Sequence, residues 1–439
     1  MKYFIETFGC QMNGHDSEKL AGMLTAAGHL KSGSVDDADL IIVNTCCVRE
    51  NAENRIYGHL GYLKRLKEDK KELIIAVCGC MAQRAESVKK FIGIYNADIV
   101  FGTFNIPDFP RLLDEYINTG KRIVEIKDSH PEIIAEPEPV REKKFKASIN
   151  VIYGCDNFCS YCIVPYVRGR ERSRPFADVV EQARRLSAGG AIELMLLGQN
   201  VNSYGRDLKT KSSFAELLYA VSRVDGIKRI RFMTSNPKDL SDELIHVMAE
   251  RANVCKHLHL PLQSGSDSIL KAMNRHYTKE QYIGLAEKVR RTVPGVSVTT
   301  DIIVGFPGET DDDFADTLDV VKSVSFNNAF TFIYSKRKGT PAADMDNQTD
   351  ESIVKERFDQ LLALLSDGIS RINNARLGTT VPVLAEESNR EAFTLNGRTD
   401  DNTLVHFKGD QALIGRIIDV KITECKTYYL TGTAGGGSA

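Results

Sequence analysis

The chain has 439 residues, 42% of them hydrophobic and 26% charged. That balance excludes a disordered or fibrous polypeptide and leaves room for two to four domains at roughly 100–200 residues each. With 57 basic against 59 acidic residues the net charge is −2, so no global positive field points to nucleic acid.

Strands are predicted over Lys2–Thr7, Asp39–Asn44, Glu72–Val77 and Asp98–Phe101, alternating with helices over Asp16–Ala27, Ala52–Glu68, about Gln83–Phe91 and Pro110–Thr119. This alternation argues for a parallel sheet in a Rossmann-like α/β domain over residues 1–120. Residues His130–Lys144 are rich in Pro and mixed charge, and read as the body of a linker over 121–144. A second series follows, with strands at Ala147–Tyr153, Ile192–Leu197, Lys228–Thr234, His257–Leu262, Ser297–Val304 and Ala329–Tyr334. Helices at Pro175–Ala188, Phe214–Val224, Asp239–Glu250, Lys279–Arg291 and Asp311–Val324 separate them, and another covers Glu351–Arg376. Six β/α repeats over 145–376 suggest a partial (β/α)6 TIM-like barrel. Residues 377–434 hold short β-branched runs between turn residues and read as a small antiparallel β-barrel.

The ten cysteines are too sparse for a secreted disulfide scaffold. The N-terminus lacks the apolar core of a signal peptide, and no apolar run reaches the about 18 residues of a membrane span. The expectation is a cytoplasmic protein without membrane contact, whose cysteines act as ligands, catalysts or core thiols. Cys155, Cys159 and Cys162 form a C-x3-C-x2-C loop directly after the first barrel strand. Three thiolates there suit three corners of a [4Fe–4S] cluster with one iron left open, whereas structural zinc would ask for a fourth ligand. Cys10, Cys46 and Cys80 each follow one of the first three strands. Parallel strands end at one edge, so these three converge in space and suit a second cluster. On spacing alone Cys47 and Cys78 are alternatives; Cys78 and Cys80 are expected to point the same way along the strand. Cys255 and Cys425 read as structural.

The stretch YGCDNFCSYCIVPYVRGRERSRP, with TFGCQMN, NTCCVRE, CGCMAQR, HLPLQSGSDSILKAMNRHYT, DIIVGFPGETDDDF and IYSKRKGTPAA, resembles the radical S-adenosylmethionine (SAM) methylthiotransferase family across all three predicted domains. The aromatic Tyr161 before Cys162 is part of that signature, and the family motifs match Cys46 and Cys80 rather than their neighbours. Gln11-Met12-Asn13 after Cys10 is similar to the branch acting on N6-isopentenyladenosine beside the tRNA anticodon. The resemblance implies methylthio transfer to adenine C2 by a 5′-deoxyadenosyl-radical mechanism. It also implies two SAM molecules, two [4Fe–4S] clusters on the two triads, the tRNA anticodon stem-loop as partner, and a reductant protein such as flavodoxin or ferredoxin. The same chemistry on N6-threonylcarbamoyladenosine or on a ribosomal-protein aspartate is the enzymatic alternative, and an RNA-binding iron–sulfur carrier is the non-enzymatic one.

Polar or small residues at the strand ends, Gly198, Gln199, Asn200, Ser235, Gln263 and Ser264, are candidate SAM contacts together with Tyr161. The turn Gly305–Glu309 is equally well explained as a turn. Residues 141–175 hold eight Lys or Arg against three acids. Arg168, Arg170, Arg172 and Arg174, next to the cluster loop, are therefore expected to meet phosphates. The last module resembles the TRAM fold, and Tyr428, Tyr429, Phe393 and Phe407 are candidates for stacking on bases or for its core.

Overall fold

The computed structural model describes residues 1–47, 50–129, 137–389 and 394–435; Phe393 and residues 130–136 of the expected linker lie outside them. The first 125 residues build a six-stranded sheet in which every pairing is parallel. Its order is Leu30–Lys31, Lys2–Thr7, Leu40–Thr45, Ile74–Gly79, Ile99–Phe101, Ile123–Glu125. The first and last of these strands are too short to stand out in the sequence. Leu40–Thr45 and Ile74–Gly79 are buried along their whole length, as central parallel strands covered on both faces must be. Alternate residues feed two cores. Ile41, Val43, Ile75 and Val77 pack with Ile56, Leu60 and Phe91; Leu40, Ile42, Ile74 and Ala76 pack with Leu20, Leu24 and Leu112 on the other side.

The first helix runs over Gln11–Ala26, five residues earlier than the expected Asp16. Its opening turns bury Asn13, His15, Asp16, Ser17 and Lys19, so they carry no amphipathic pattern to betray a helix. The expected helix from Gln83 is a 3-10 turn, Cys80–Gln83, followed by a helix over Ala85–Gly93.

The central region has six parallel strands in two three-stranded sheets: Lys146–Asn150, Glu193–Leu197 and Arg229–Phe232, then His257–His259, Ser297–Val304 and Asn328–Ile333. A bridge from Ile230 to Val254 joins them. The first and last strands are outer edges of their sheets, so the barrel stays open on that side. The expected strand Ala147–Tyr153 breaks after Asn150. Ile152–Tyr153 turns away to pair antiparallel with Arg172–Ser173, pinching off the loop that carries Cys155, Cys159 and Cys162.

The last module is a closed barrel of Thr380–Asn389, Thr394–Thr399, Leu404–Lys408, Tyr429–Ala434 and Ile417–Cys425. It departs from a purely antiparallel barrel at one pairing, Leu404–Lys408 with Tyr429–Ala434, which is parallel. Phe407 fills its core and Tyr428 is exposed. The module is docked, not tethered. Two buried arginines from the third central strand grip its backbone. Arg229 donates to the carbonyls of Arg398 (2.7 Å) and Pro382 (3.0 Å), and Arg231 to those of Thr399 (2.6 Å) and Asp400 (2.9 Å). Arg231 also pairs with Glu193, which reaches Lys146, which reaches Glu386 of the module. No described helix is long and apolar enough to cross a membrane.

Arg231 is 3% exposed, and removing one partner of a buried charge pair costs about 3–5 kcal/mol. Arg231→Ala should therefore lower the unfolding free energy by about 3–5 kcal/mol, read as a fall in the urea midpoint, and a chain ending before Gly378 should be destabilised likewise. A midpoint unchanged in Arg231→Ala would mean that the dock contributes nothing to the barrel.

Candidate functional site

Register brings the first triad together. Thr7 pairs with Asn44, and Thr45 with Gly79, so the three strands end at one edge and Cys10, Cys46 and Cys80 follow within a few residues. Two glycines make the approach possible. Gly9 has φ +114°, and a Cβ there would lie 2.4 Å from the Cβ of Cys46 and 2.7 Å from its Sγ. Gly79 has φ +93°, and a Cβ there would meet the Thr45 carbonyl at 2.3 Å. Only glycine takes these positions without strain.

Gly79 also corrects the expected side-chain alternation. Cys78 lies in the core that holds Leu20 and Leu24, whereas Cys80 lies in the opposite one with Cys47 and Phe91. The left-handed turn ends the strand's period of two, so Cys78 and Cys80 face opposite sides of the sheet. Burial pushes the Cys78 thiol well above its ordinary range, which suits a core residue. The Cys80 thiolate is favoured by Cys47 beside it and by the Arg168 guanidinium nearby. Cys47 is therefore a neighbour of the triad and Cys78 is not.

Asn13 ties the triad's loops. Its Nδ2 donates to the carbonyls of Phe8 (2.8 Å) and Thr45 (2.9 Å), just before Cys10 and Cys46. Its Oδ1 accepts from Arg168 Nη2 at 2.8 Å, and the same Nη2 donates to Asp16 Oδ2 at 3.0 Å.

The second triad sits on the loop after the first central strand. Gly154, at φ +72°, precedes Cys155; a Cβ there would strike the Arg170 carbonyl at 2.0 Å. The Cys155 N–H donates to the Gly169 carbonyl (3.1 Å) and closes the loop's base. Residues 272–275 hold its tip. Ser160 bonds to the backbone of Ala272 and Met273, Asn274 Nδ2 donates to the carbonyls of Asn157 and Phe158 at 3.0 Å each, and Arg275 Nη1 lies 3.5 Å from Cys159 Sγ. Arg275 escaped the sequence reading, although it sits in the motif HLPLQSGSDSILKAMNRHYT. Burial raises Cys155 to about 11 and Cys162 to about 12. Among the described residues no three His, Cys, Asp or Glu side chains converge as on a single ion. Three thiols on one loop suit three corners of a cluster, whereas structural zinc takes four ligands; beside the first triad stands a further thiol, Cys47. Tyr161 packs between the second triad and the group formed by Met273, Phe306 and Ala342.

The strand-end candidates divide. Asn200 is occupied, donating to Asp239 (2.7 Å) and accepting from the Asn236 N–H; Ser264 is occupied by Thr317 and the Ser266 N–H. Gln263 is held by its backbone in the second sheet, at φ +69°. Gly198 packs against Ile152, where a Cβ would come within 2.4 Å. Gln199 Oε1 and Ser235 Oγ are buried with no hydrogen-bond partner. Asn150 Oδ1, both amide atoms of Asn202, and Tyr334 Oη share that condition, and the sequence reading did not include them. All five stand at or just beyond C-terminal strand ends. Buried polar atoms in native proteins have partners as a rule, so these side chains are candidates to bond a polar ligand at the barrel mouth.

The arginine patch needs correction. Arg168 and Arg174 are 7% and 5% exposed. Arg174 bonds to the Asn150 carbonyl and Gln182, and Arg168 to Asn13 and Asp16, so neither is presented to a phosphate. Arg172 lies over the rings of Phe104 and Tyr153. Arg170 is 71% exposed, paired with Asp156, and rests 5.1 Å over Phe158, whose ring meets Tyr166 edge-on.

The chain was compared with known proteins. Residues 149–321 match the radical SAM superfamily, residues 2–102 the uncharacterized protein family UPF0004, and residues 374–434 the TRAM domain. The tRNA-2-methylthio-N(6)-dimethylallyladenosine synthase of Acetivibrio thermocellus is 52% identical over 435 residues, covering 98% of this chain and 90% of the relative. That of Alkaliphilus oremlandii is 51% identical, covering 98% and 92%. Among solved structures, the radical SAM methyltransferase TsrM from Kitasatospora setae shares the fold at a TM-score of 0.56 and 14% identity, over 88% of this chain and 79% of its own.

Cys78→Ala should leave iron uptake on anaerobic reconstitution unchanged, because Cys78 lies in the opposite core. Cys80→Ala should lose about half of the iron, on the basis of two four-iron clusters. Iron analysis of the two variants checks this, and an iron loss in Cys78→Ala equal to that in Cys80→Ala would refute the division of the pair.

Proposed function

From the premise that this chain belongs to the tRNA-2-methylthio-N(6)-dimethylallyladenosine synthase family of radical SAM enzymes, we infer that it transfers a methylthio group to C2 of N6-isopentenyladenosine beside the anticodon of tRNA. It uses SAM and two [4Fe–4S] clusters. The observation that carries this reading is the pair of cysteine triads within one chain, one at the ends of three neighbouring parallel strands and one on a single loop, with positive-φ glycines before Cys10, Cys80 and Cys155. The hydrogen on adenine C2 is too weakly acidic for any side-chain base at neutral pH. When bound, the clusters and SAM supply the electron, the primary carbon radical and the sulfur that this position requires.

In this reading Cys10, Cys46 and Cys80 hold the sulfur-donating cluster, and Cys155, Cys159 and Cys162 the one that binds SAM. The chain then divides functionally into 1–120, the linker 121–144, 145–376 and 377–434. Gln199 and Ser235 meet SAM with their unpaired oxygens, Tyr161 and Gly198 shape its pocket, and Gln263 offers backbone. Asn202, Asn150 and Tyr334 join them. Asn200 and Ser264 support the loops instead. On the rim, Arg170 and Arg172 meet phosphates of the anticodon stem-loop while Phe158 and Tyr166 offer faces to unstacked bases. A small reductant protein of the flavodoxin or ferredoxin kind supplies electrons, in the cytoplasm. A passive cluster carrier would have no use for the unpaired polar atoms at the barrel mouth.

Two experiments test this. With Cys10, Cys46 and Cys80 all changed to Ala, the reduced protein should still convert SAM to 5′-deoxyadenosine but make no methylthiolated nucleoside, as read by mass spectrometry. Methylthiolation at the unaltered rate would remove the first triad from the reaction. Arg170→Ala should weaken tRNA binding and reduce the salt dependence by about one unit, whereas Arg174→Ala should leave that slope unchanged. Equal slopes in the two variants would remove Arg170 from the RNA surface.

A further inference from the structure

Arg168 belongs to the loop of one triad and reaches the other. It ends the short helix Val164–Arg168, six residues beyond Cys162. Ile163 and Val167 of this segment pack into the core of the first domain with Cys47, Cys80 and Phe91, and Thr103 Oγ1 holds the Val167 carbonyl at 2.9 Å. The next residue, Gly169, accepts from the Cys155 N–H. Two adjacent residues therefore touch both sites. Gly169 bonds to Cys155, and Arg168 bonds to Asp16 and Asn13 and, through Asn13, to the carbonyls before Cys10 and Cys46. Asp16 supplies the carboxylate that a guanidinium so buried requires.

We propose that Arg168 is a positioning residue which sets the distance and orientation of the Cys10/Cys46/Cys80 triad relative to the Cys155/Cys159/Cys162 triad. The proposal rests on the function assigned above. A methylthio group held at the first site must meet the substrate carbon as soon as it is activated at the second, and misplacement by about 1 Å costs on the order of a hundredfold. The planar guanidinium suits the role because its fixed fork spans several acceptors, whereas an ammonium is a point charge. Residues 272–275 hold the second triad and Asn13 with Asn44 holds the first; the packing of Ile163 and Val167 and the Thr103–Val167 bond join the two regions, and Arg168 is the tie that reaches the polar groups bracing the first triad.

The test uses the full-length, reconstituted protein and reads two quantities. One is methylthiolated nucleoside formed per 5′-deoxyadenosine; the other is the magnetic dipolar interaction between the two reduced clusters, measured by pulsed electron paramagnetic resonance. Arg168→Lys keeps the positive charge beside Cys80 but not the fork. It should bind as much iron as the unaltered protein, lower the product ratio by about tenfold, and broaden the distance distribution between clusters. An unchanged ratio with an unchanged distribution would overturn the proposal. Should Arg168→Lys take up less iron, Asp16→Asn, which leaves the guanidinium and every cysteine in place, is read on the same two quantities with the same meaning. If the unaltered protein makes no methylthiolated nucleoside at all, the assigned function fails, and the dipolar readout alone still decides whether Arg168 fixes the spacing.

Discussion

The arrangement of the site depends on a backbone constraint: a glycine in the left-handed region immediately before a cysteine. It occurs at Gly9, Gly79 and Gly154, and at each a Cβ would strike another loop of the same triad or its base. These turns allow loops that leave separate strands, or the two ends of one loop, to approach closely where side chains would otherwise hold the chains apart. At Gly79 the turn also moves Cys80 to the face opposite Cys78. The main chain thus decides which of Cys78 and Cys80 faces the side of the sheet where Cys47 lies.

Around these turns the protein places charged groups in buried positions and satisfies them from neighbouring domains. Arg168 from the central region is satisfied by the first domain, and Arg229 and Arg231 by the last. Buried charges are costly unless paired, so each arginine joins domains whose apolar cores are otherwise largely separate. Arg275 plays the corresponding part within the central region, between Cys159 and the Pro261 carbonyl.

Much of this was legible in the sequence, and the omissions have physical causes. The convergence of Cys10, Cys46 and Cys80 followed from strand–helix alternation, because parallel strands in register end together. The C-x3-C-x2-C loop needed only local spacing. The charge of Arg168 and Arg174 was misread because a local sum of charges carries no direction; within seven residues, two guanidiniums fold inward and one faces solvent. The early start of the first helix was hidden because its buried residues are polar and pack against another domain. The docking of the last barrel did leave a signal: Arg229 and Arg231 alternate with Ile230 and Phe232 in a strand whose alternate faces are both buried. Two arginines on an inward face require acceptors, but those acceptors are carbonyls about 150 residues away, beyond the reach of local pattern.

That grip on carbonyl oxygens has an evolutionary corollary. Arg229 and Arg231 hold residues 382 and 398–400 through the main chain, which every amino acid provides alike. In the turn between the second and third strands of the last barrel, side chains add to that grip, Asp400 by accepting from the Lys256 N–H at 3.1 Å and Asp401 by pairing with Arg376; the bonds to Arg229 and Arg231 ask nothing of side-chain identity there. The two arginines themselves have no such latitude. A module fastened in this way can vary over its outer surface, while the socket formed by Arg229 and Arg231 must keep its chemistry.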